Sequence, residues 1–289
     1  MLVENVDSVV AAFEQRNYIL DRPLATALFL VLKLSKPLLL EGHAGLGKTE
    51  TAKVLAALLG TRLIRLQCHE GLDVNSALYE WNYQKQLLAI QLQQTSNQTI
   101  QEKEKYIFGP DFLLERPLLA AISAAAPPVL LIDEIDRADE AFEAFLLELL
   151  SDFQISIPEM GTIAATHRPY VLLTSNRSRE LSDALKRRCL YHWIDYPSVE
   201  KEVRIVRARF PEMNERFSTQ IVRCVQTIRA LPLAKPPGVA ETLDWVQALG
   251  ILSISALDHQ TVENTIGCLA KSVEDAAKIR AQDLSSALL

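Results

Sequence analysis

Residues 42–49 read Gly42-His43-Ala44-Gly45-Leu46-Gly47-Lys48-Thr49. They match G-x-x-x-x-G-K-[ST] in full, a pattern whose chemistry is the holding of phosphate. Glycines let backbone N–H groups turn inward around an anion, and a helix opening at the lysine adds partial positive charge. The Lys48 ammonium can reach the β- and γ-phosphates, and the Thr49 hydroxyl can ligate Mg²⁺. The stretch therefore predicts a nucleoside triphosphate with Mg²⁺. Its contacts are Gly42, His43, Ala44, Gly45, Leu46, Gly47, Lys48, Thr49 and the following Glu50.

A second constellation is VLLIDEID, residues 129–136, an apolar run ending in Asp133 and Glu134. One carboxylate at a strand end can hold the Mg²⁺ shell. Its neighbour can activate the water that attacks a γ-phosphate. VLLTSN, residues 171–176, is a third run with a polar tip, Asn176. An amide there could orient the same water, or simply cap the next turn. Further on, ALKRRC puts Arg187 and Arg188 ahead of the strand-like CLYHWI. Arginines at such a place can project into a neighbouring subunit's site and stabilise charge on the transferring phosphoryl group. They can equally form a solvated edge, and the sequence leaves both readings open.

These residues need a scaffold. Short apolar runs at 37–41, 62–67, 128–132, 170–174 and 190–194 predict strands. Helical periodicity covers 48–59, 112–126 and 139–151, with a buried helix over 24–32. Strands alternating with helices imply an α/β fold, an open parallel five-stranded sheet covered on both faces. Residues 154–170 predict a hairpin turning at Pro158 to Gly161. After Pro197 every segment reads at helical period, with LPLAKPPG (231–238) as a loop, so 198–289 predicts a helical bundle. The polar, Gln-rich stretch 91–104 predicts a flexible surface insertion. Tyr79, Trp81 and Tyr83 alternate with polar residues, as packed aromatics do on a half-buried strand, or as a substrate-gripping surface would.

The bulk composition narrows the partners. The 289 residues carry a net charge of −6, which gives no basic footprint and argues against nucleic acid. The longest apolar-looking stretch is broken by Lys33, Lys36 and Pro37, short of the roughly 18 uninterrupted residues of a membrane span. The first residues lack the basic and apolar blocks of a signal peptide. Four separated cysteines with no CxxC pair predict a reduced, cytoplasmic setting. Cys68-His69-Glu70 is a weak metal signal without a second cluster.

In their order along the chain, these motifs resemble an AAA+ ATPase: glycine-rich loop, DE strand, Asn-tipped strand, paired arginines and C-terminal helices. Within that class the chain resembles the MoxR group. The hairpin at 154–170 and the long segment at about 69–111 are similar to the insertions of the helix-2-insert clade. NRSRELSDALKRRCLYHWIDYP and FEAFLLELLSDFQISIPE resemble the branch linked to carbon-monoxide-dehydrogenase maturation.

The resemblance implies a P-loop NTPase core over 1–197 and a small all-α lid over 198–289. It implies ATP and Mg²⁺ as cofactors, with Lys48 and Thr49 as the Walker A pair. Asp133 and Glu134 would be the Walker B metal-binding and catalytic acids, and Asn176 sensor 1. Arg188 would be the arginine finger, with Arg187 the second choice. It also implies a hexameric ring that remodels a protein client, often with a von Willebrand factor A-domain partner. No D-x-S-x-S site is present here, so that partner would be a separate chain. One departure is plain: KPPGVAETLDW has Glu241 and Thr242 where the family carries its sensor-2 arginine. Either Lys235 or another basic group substitutes, or lid coupling to nucleotide is weaker, which keeps open a nucleotide-dependent scaffold with little turnover. A small-molecule kinase or GTPase is weakened by the DE pair and by the lack of an N-K-x-D motif.

Overall fold

The structure is a computed structural model that describes residues 3–92 and 99–282. Helix α1 (Val6–Glu14) opens on a capping box between Asn5 and Ser8, and α2 (Arg22–Leu34) covers the helix expected over 24–32, buried on one side at Leu24, Ala25, Leu28 and Val31 while Leu30 is exposed. Strand β1 (Leu38–Gly42) is buried throughout and runs through the glycine-rich loop into α3 (Lys48–Leu59). Strand β2 (Leu63–Gln67) follows.

Next come α4 (Val74–Leu78), β3 (Tyr79–Trp81), α5 (Tyr83–Leu92), α6 (Ile100–Ile107), β4 (Leu113–Glu115) and α7 (Pro117–Ile122). The helix expected over 112–126 shrinks to α7, because Pro117 sits at its first turn and fixes the start there. The residues just before it form β4, antiparallel to β3 with Trp81 opposite Leu113 and Tyr79 opposite Glu115. The described flanks of the Gln-rich stretch are helical, and α6 begins at a Thr99–Glu102 capping box. Residues 93–98 of that stretch lie outside the described residues. Tyr79 and Trp81 meet edge to face at 6.0 Å, as strand neighbours on one face should. Tyr83 has left the strand and is exposed on α5.

Strand β5 (Val129–Asp133), α8 (Glu140–Asp152), the hairpin β6 (Gln154–Ile157) and β7 (Gly161–Ala164), β8 (Tyr170–Ser175), α9 (Asp183–Arg188) and β9 (Leu190–Ile194) complete this part. The order across the five-stranded sheet is β2-β5-β8-β1-β9. The β2–β5, β5–β8 and β8–β1 pairs are parallel, with Ile64 opposite Leu130, Leu130 opposite Val171, and Leu38 opposite Leu172. Central strands buried on both faces must be apolar without alternation, and β1, β5 and β8 are. Beyond them α10 (Val199–Arg209), α11 (Glu215–Arg229), α12 (Val239–Ile251), α13 (His259–Thr265) and α14 (Val273–Arg280) form an all-helical region.

By internal packing the chain forms two compact units. The first comprises Thr26–Glu41 and Leu55–His192. The second comprises Gly42–Val54 with the described parts of Leu2–Ala25 and Trp193–Leu289. The first unit's core includes Leu39, Leu66, Leu130, Ile132, Leu173, Phe142 and Phe112. The second's is built on α11 and α12 around a fully buried Trp245, whose Nε1 donates to Thr265 Oγ1 at 2.8 Å. Among the described residues no helix is long and apolar enough to cross a membrane.

Candidate active site

The glycine-rich loop lies in the second unit, and its backbone explains its composition. Gly42 has φ +155°, and a Cβ there would stand 2.3 Å from the Ile194 carbonyl oxygen. Gly45 has φ +76°, and its missing Cβ would stand 2.8 Å from Glu241 Oε2. Only glycine fits either place without strain. Helix α3 then opens at Lys48, so its first-turn N–H groups face outward at the positive end of the helix. Lys48 is buried, and its Nζ donates to the Gly42 and His43 carbonyls, each at 2.7 Å. The ammonium is thereby held at the loop. The hydroxyl of Tyr18 lies 2.7 Å from Thr51 Oγ1 and donates to the Gly47 carbonyl at 3.3 Å. Burial pushes that phenol up to about 12, against the opposing pull of the Thr51 hydrogen bond, so it stays a donor. The His43 ring stacks on Tyr196 with centroids 5.0 Å apart, and the Arg229 guanidinium covers Tyr196 at 4.7 Å. Glu50 is exposed and pairs with Lys53 at 2.9 Å.

The carboxylates lie in the first unit at the end of β5, beside the Asn176 tip of β8. Asp133 is buried. Its Oδ1 accepts from Thr174 Oγ1 at 2.5 Å, and its Oδ2 accepts from Arg65 Nε at 3.0 Å and Nη2 at 2.5 Å. Arg65 sits opposite Leu131 on β2, so its side chain reaches one pleat along the neighbouring strand to Asp133. Glu134 takes φ +55°, a left-handed conformation uncommon for a residue with a side chain, and its N–H donates to Thr174 Oγ1 at 2.9 Å. Asn176 Nδ2 lies 3.4 Å from Glu134 Oε1. The loop carrying Asn176 is tied down by Asp136, whose Oδ2 accepts from Asn176 N (3.2 Å), Ser178 N (2.7 Å) and Ser178 Oγ (2.7 Å).

Of the residues singled out in the sequence, Asp133, Glu134 and Asn176 thus form one cluster within the first unit. The structure adds Arg65, Thr174, Asp136 and Ser178. Thr174 and Asp136 stood inside the quoted motifs VLLTSN and VLLIDEID, so their polarity in apolar runs was a usable signal. Arg65 carried none, because only strand order brings it to Asp133. Arg188, on the last turn of α9, is exposed and donates to Ser151 Oγ at 2.8 Å and to the Ala184 carbonyl at 3.2 Å. Arg187 is exposed beside it.

The donor chemistry suits magnesium. Mg²⁺ takes hard oxygen ligands and is ordinarily held by one or two protein groups plus substrate phosphates. The Thr49 hydroxyl of the second unit and the Asp133 carboxylate of the first are each a hard oxygen donor by type. Among the described residues no group of three or more His, Cys, Asp or Glu could hold a metal by itself. Burial, then the charges of Asp133, Asp136 and Glu134, push the Cys68 thiol up to about 12.

A family model described as AAA domain (dynein-related subfamily) matches residues 37–189, more than half of the chain. The chain belongs to this family. AAA+ ATPases as a class bind ATP with Mg²⁺ and typically hydrolyse it. Two solved structures of point variants of RuvB from Thermotoga maritima share the fold. One aligns with a TM-score of 0.52 and 19% identity, covering 96% of this chain and 74% of that one. The other aligns at 0.50 and 18%, covering 92% and 73%. Likeness at such identity shows the P-loop AAA+ fold, with its five-stranded sheet, flanking helices and C-terminal helical region. No curated protein matches the chain.

Proposed function

We propose that this AAA-domain protein is a cytoplasmic ATP hydrolase of MoxR type, working as a hexameric ring to remodel or mature a protein client. In this reading Gly42 to Glu50 hold the nucleotide, with Lys48 on its β- and γ-phosphates. Thr49 and Asp133 hold Mg²⁺, which when bound neutralises charge on the phosphate oxygens. Glu134 takes a proton from the attacking water, and Asn176 orients that exchange. Arg188 of a neighbouring subunit, with Arg187 as the alternative, completes the site. The functional division falls at Tyr196-Pro197, with a core over 1–197 and a lid over 198–289.

The observation that supports hydrolysis over mere binding is the 3.4 Å approach of the Asn176 amide to the Glu134 carboxylate. A base with its own orienting amide is what water activation requires, and a phosphate-binding scaffold has no need of it. The motifs NRSRELSDALKRRCLYHWIDYP and FEAFLLELLSDFQISIPE support a metalloenzyme as the client, with a von Willebrand factor A-domain protein as a separate partner. RuvB is described as a Holliday junction branch migration motor. A net charge of −6 turns the reading here from DNA toward a protein.

Glu134→Gln tests the assignment. The variant keeps ATP binding and loses hydrolysis by about 10²–10⁴-fold, the range for removing a general base. Undiminished hydrolysis would overturn it.

A further inference from the structure

Glu241 occupies the third position of α12. Its Oε2 accepts from the Gly238 N–H at 2.9 Å. The same oxygen lies 2.8 Å from the place a Cβ on Gly45 would take. The helix start itself rests on the phosphate loop. Ala240 N donates to the Gly45 carbonyl at 2.9 Å, and a Cβ on Gly238 would stand 2.8 Å from the Ala44 carbonyl oxygen. A carboxylate is thus fixed against the loop whose backbone is shaped to hold an anion.

Among the described residues Glu241 makes no ion pair. The buried guanidinium of the same helical region, Arg229, is engaged by Glu202, with two contacts of 2.9 Å, and by the Tyr196 ring. Lys48 Nζ is directed to carbonyls of the loop itself.

We propose that Glu241 is an electrostatic brake on nucleotide affinity, a like charge that weakens the grip of the phosphate loop on di- and triphosphates and speeds their release. This rests on the nucleotide reading given above. The hydrogen bond to Gly238 holds the carboxylate in place, so its repulsion is not relieved by the side chain swinging away. One fixed charge acting on a multiply charged ligand at a partly exposed site corresponds to roughly a tenfold change in Kd at moderate salt.

The test is calorimetric titration of the full chain with ADP and Mg²⁺, for the wild type, Glu241→Gln and Glu241→Ala. Glutamine keeps an oxygen for the Gly238 N–H and removes only the charge. The expected result is about tenfold tighter binding in Glu241→Gln, with the gain shrinking as NaCl is raised from about 50 to 500 mM, as screening requires. Equal or weaker binding by Glu241→Gln overturns the brake, and so does an effect confined to Glu241→Ala, which would make the residue a helix cap. Binding of ADP by none of the three proteins overturns the nucleotide reading, and the brake with it.

Discussion

Asp136 is the residue on which the geometry of the candidate site turns, and replacing it by alanine has a calculable outcome. Its Oδ2 accepts three hydrogen bonds, from Asn176 N at 3.2 Å and from Ser178 N and Oγ at 2.7 Å each. Bonds of this kind contribute about 0.5–1.5 kcal/mol each, so the three together are worth roughly 3 kcal/mol. Part of that returns on substitution. Ser178 is exposed and Asn176 half-exposed, so the freed donors reach water. Asp136 is also 3% exposed with Oδ1 unpartnered, and removing it abolishes that desolvation. The net loss expected for Asp136→Ala is about 2 kcal/mol, or roughly a 1 M drop in the urea midpoint. The effect on turnover is larger, because Asn176 loses the tether that brings its amide to Glu134: kcat falls at least tenfold while KM for ATP moves by less than about threefold. Asp136→Asn restores an acceptor but puts an amide where Oδ1 was buried without a partner, so it recovers only part of both losses. Steady-state ATPase kinetics beside urea denaturation would separate the effects. A wild-type kcat in Asp136→Ala, with the stability loss present, would refute the positioning role.

Two further outcomes are expected. Doping the wild type with Arg188→Ala lowers ATPase activity per wild-type subunit, and the activity rises with protein concentration. A rate indifferent to both would mean each chain works alone. In the helical region, Arg229→Met strands Glu202, which is fully buried and keeps only the donors of Gln226 and Thr242. That single change should cost about 3–5 kcal/mol in denaturation, and adding Glu202→Gln should recover at least half. A loss under about 1 kcal/mol would contradict the pairing.

The parts of the fold that were legible in the sequence are those specified locally. Strand β1 and the glycine-rich loop are written in one continuous stretch, as is β5 with its DE tip, and the structure places each within a residue or two of its expected bounds, while the hairpin expected over 154–170 turns where expected but ends at Ala164. The misread parts had local signals that were outweighed. Apolar Leu113 and Leu114 looked like the start of a helix, although Pro117 marked the true start of α7. The Gln-rich stretch read as a flexible surface insertion, although T-x-x-E at Thr99 to Glu102 announces the helix that its described end forms. Other features had no local signal at all. Arg65 reaches Asp133 only because β2 pairs with β5, a partnership across 68 residues of sequence. Glu241 reaches Gly45 only because α12 begins against the loop.

Thr174 shows how a single polar residue in an apolar strand can set two carboxylates. Its hydroxyl donates to Asp133 Oδ1 at 2.5 Å and accepts from the Glu134 N–H at 2.9 Å, so one oxygen serves both members of the DE pair. The accepted bond lies at the peptide where the chain turns into the left-handed region, at φ +55°. Such a conformation costs of order 1–3 kcal/mol for a residue with a side chain, and it persists only where the surroundings over-determine it. A glycine at position 134 would remove the strain and also the carboxylate. The chain keeps the strained residue and holds it from the neighbouring strand β8, which also carries Asn176 at its tip. The residue read as orienting the water and the residue fixing the acid's backbone are therefore two positions apart on one strand. Any shift of β8 against β5 would move the Thr174 bond and the Asn176 amide together, so the acid and its orienting partner are coupled through the sheet register itself.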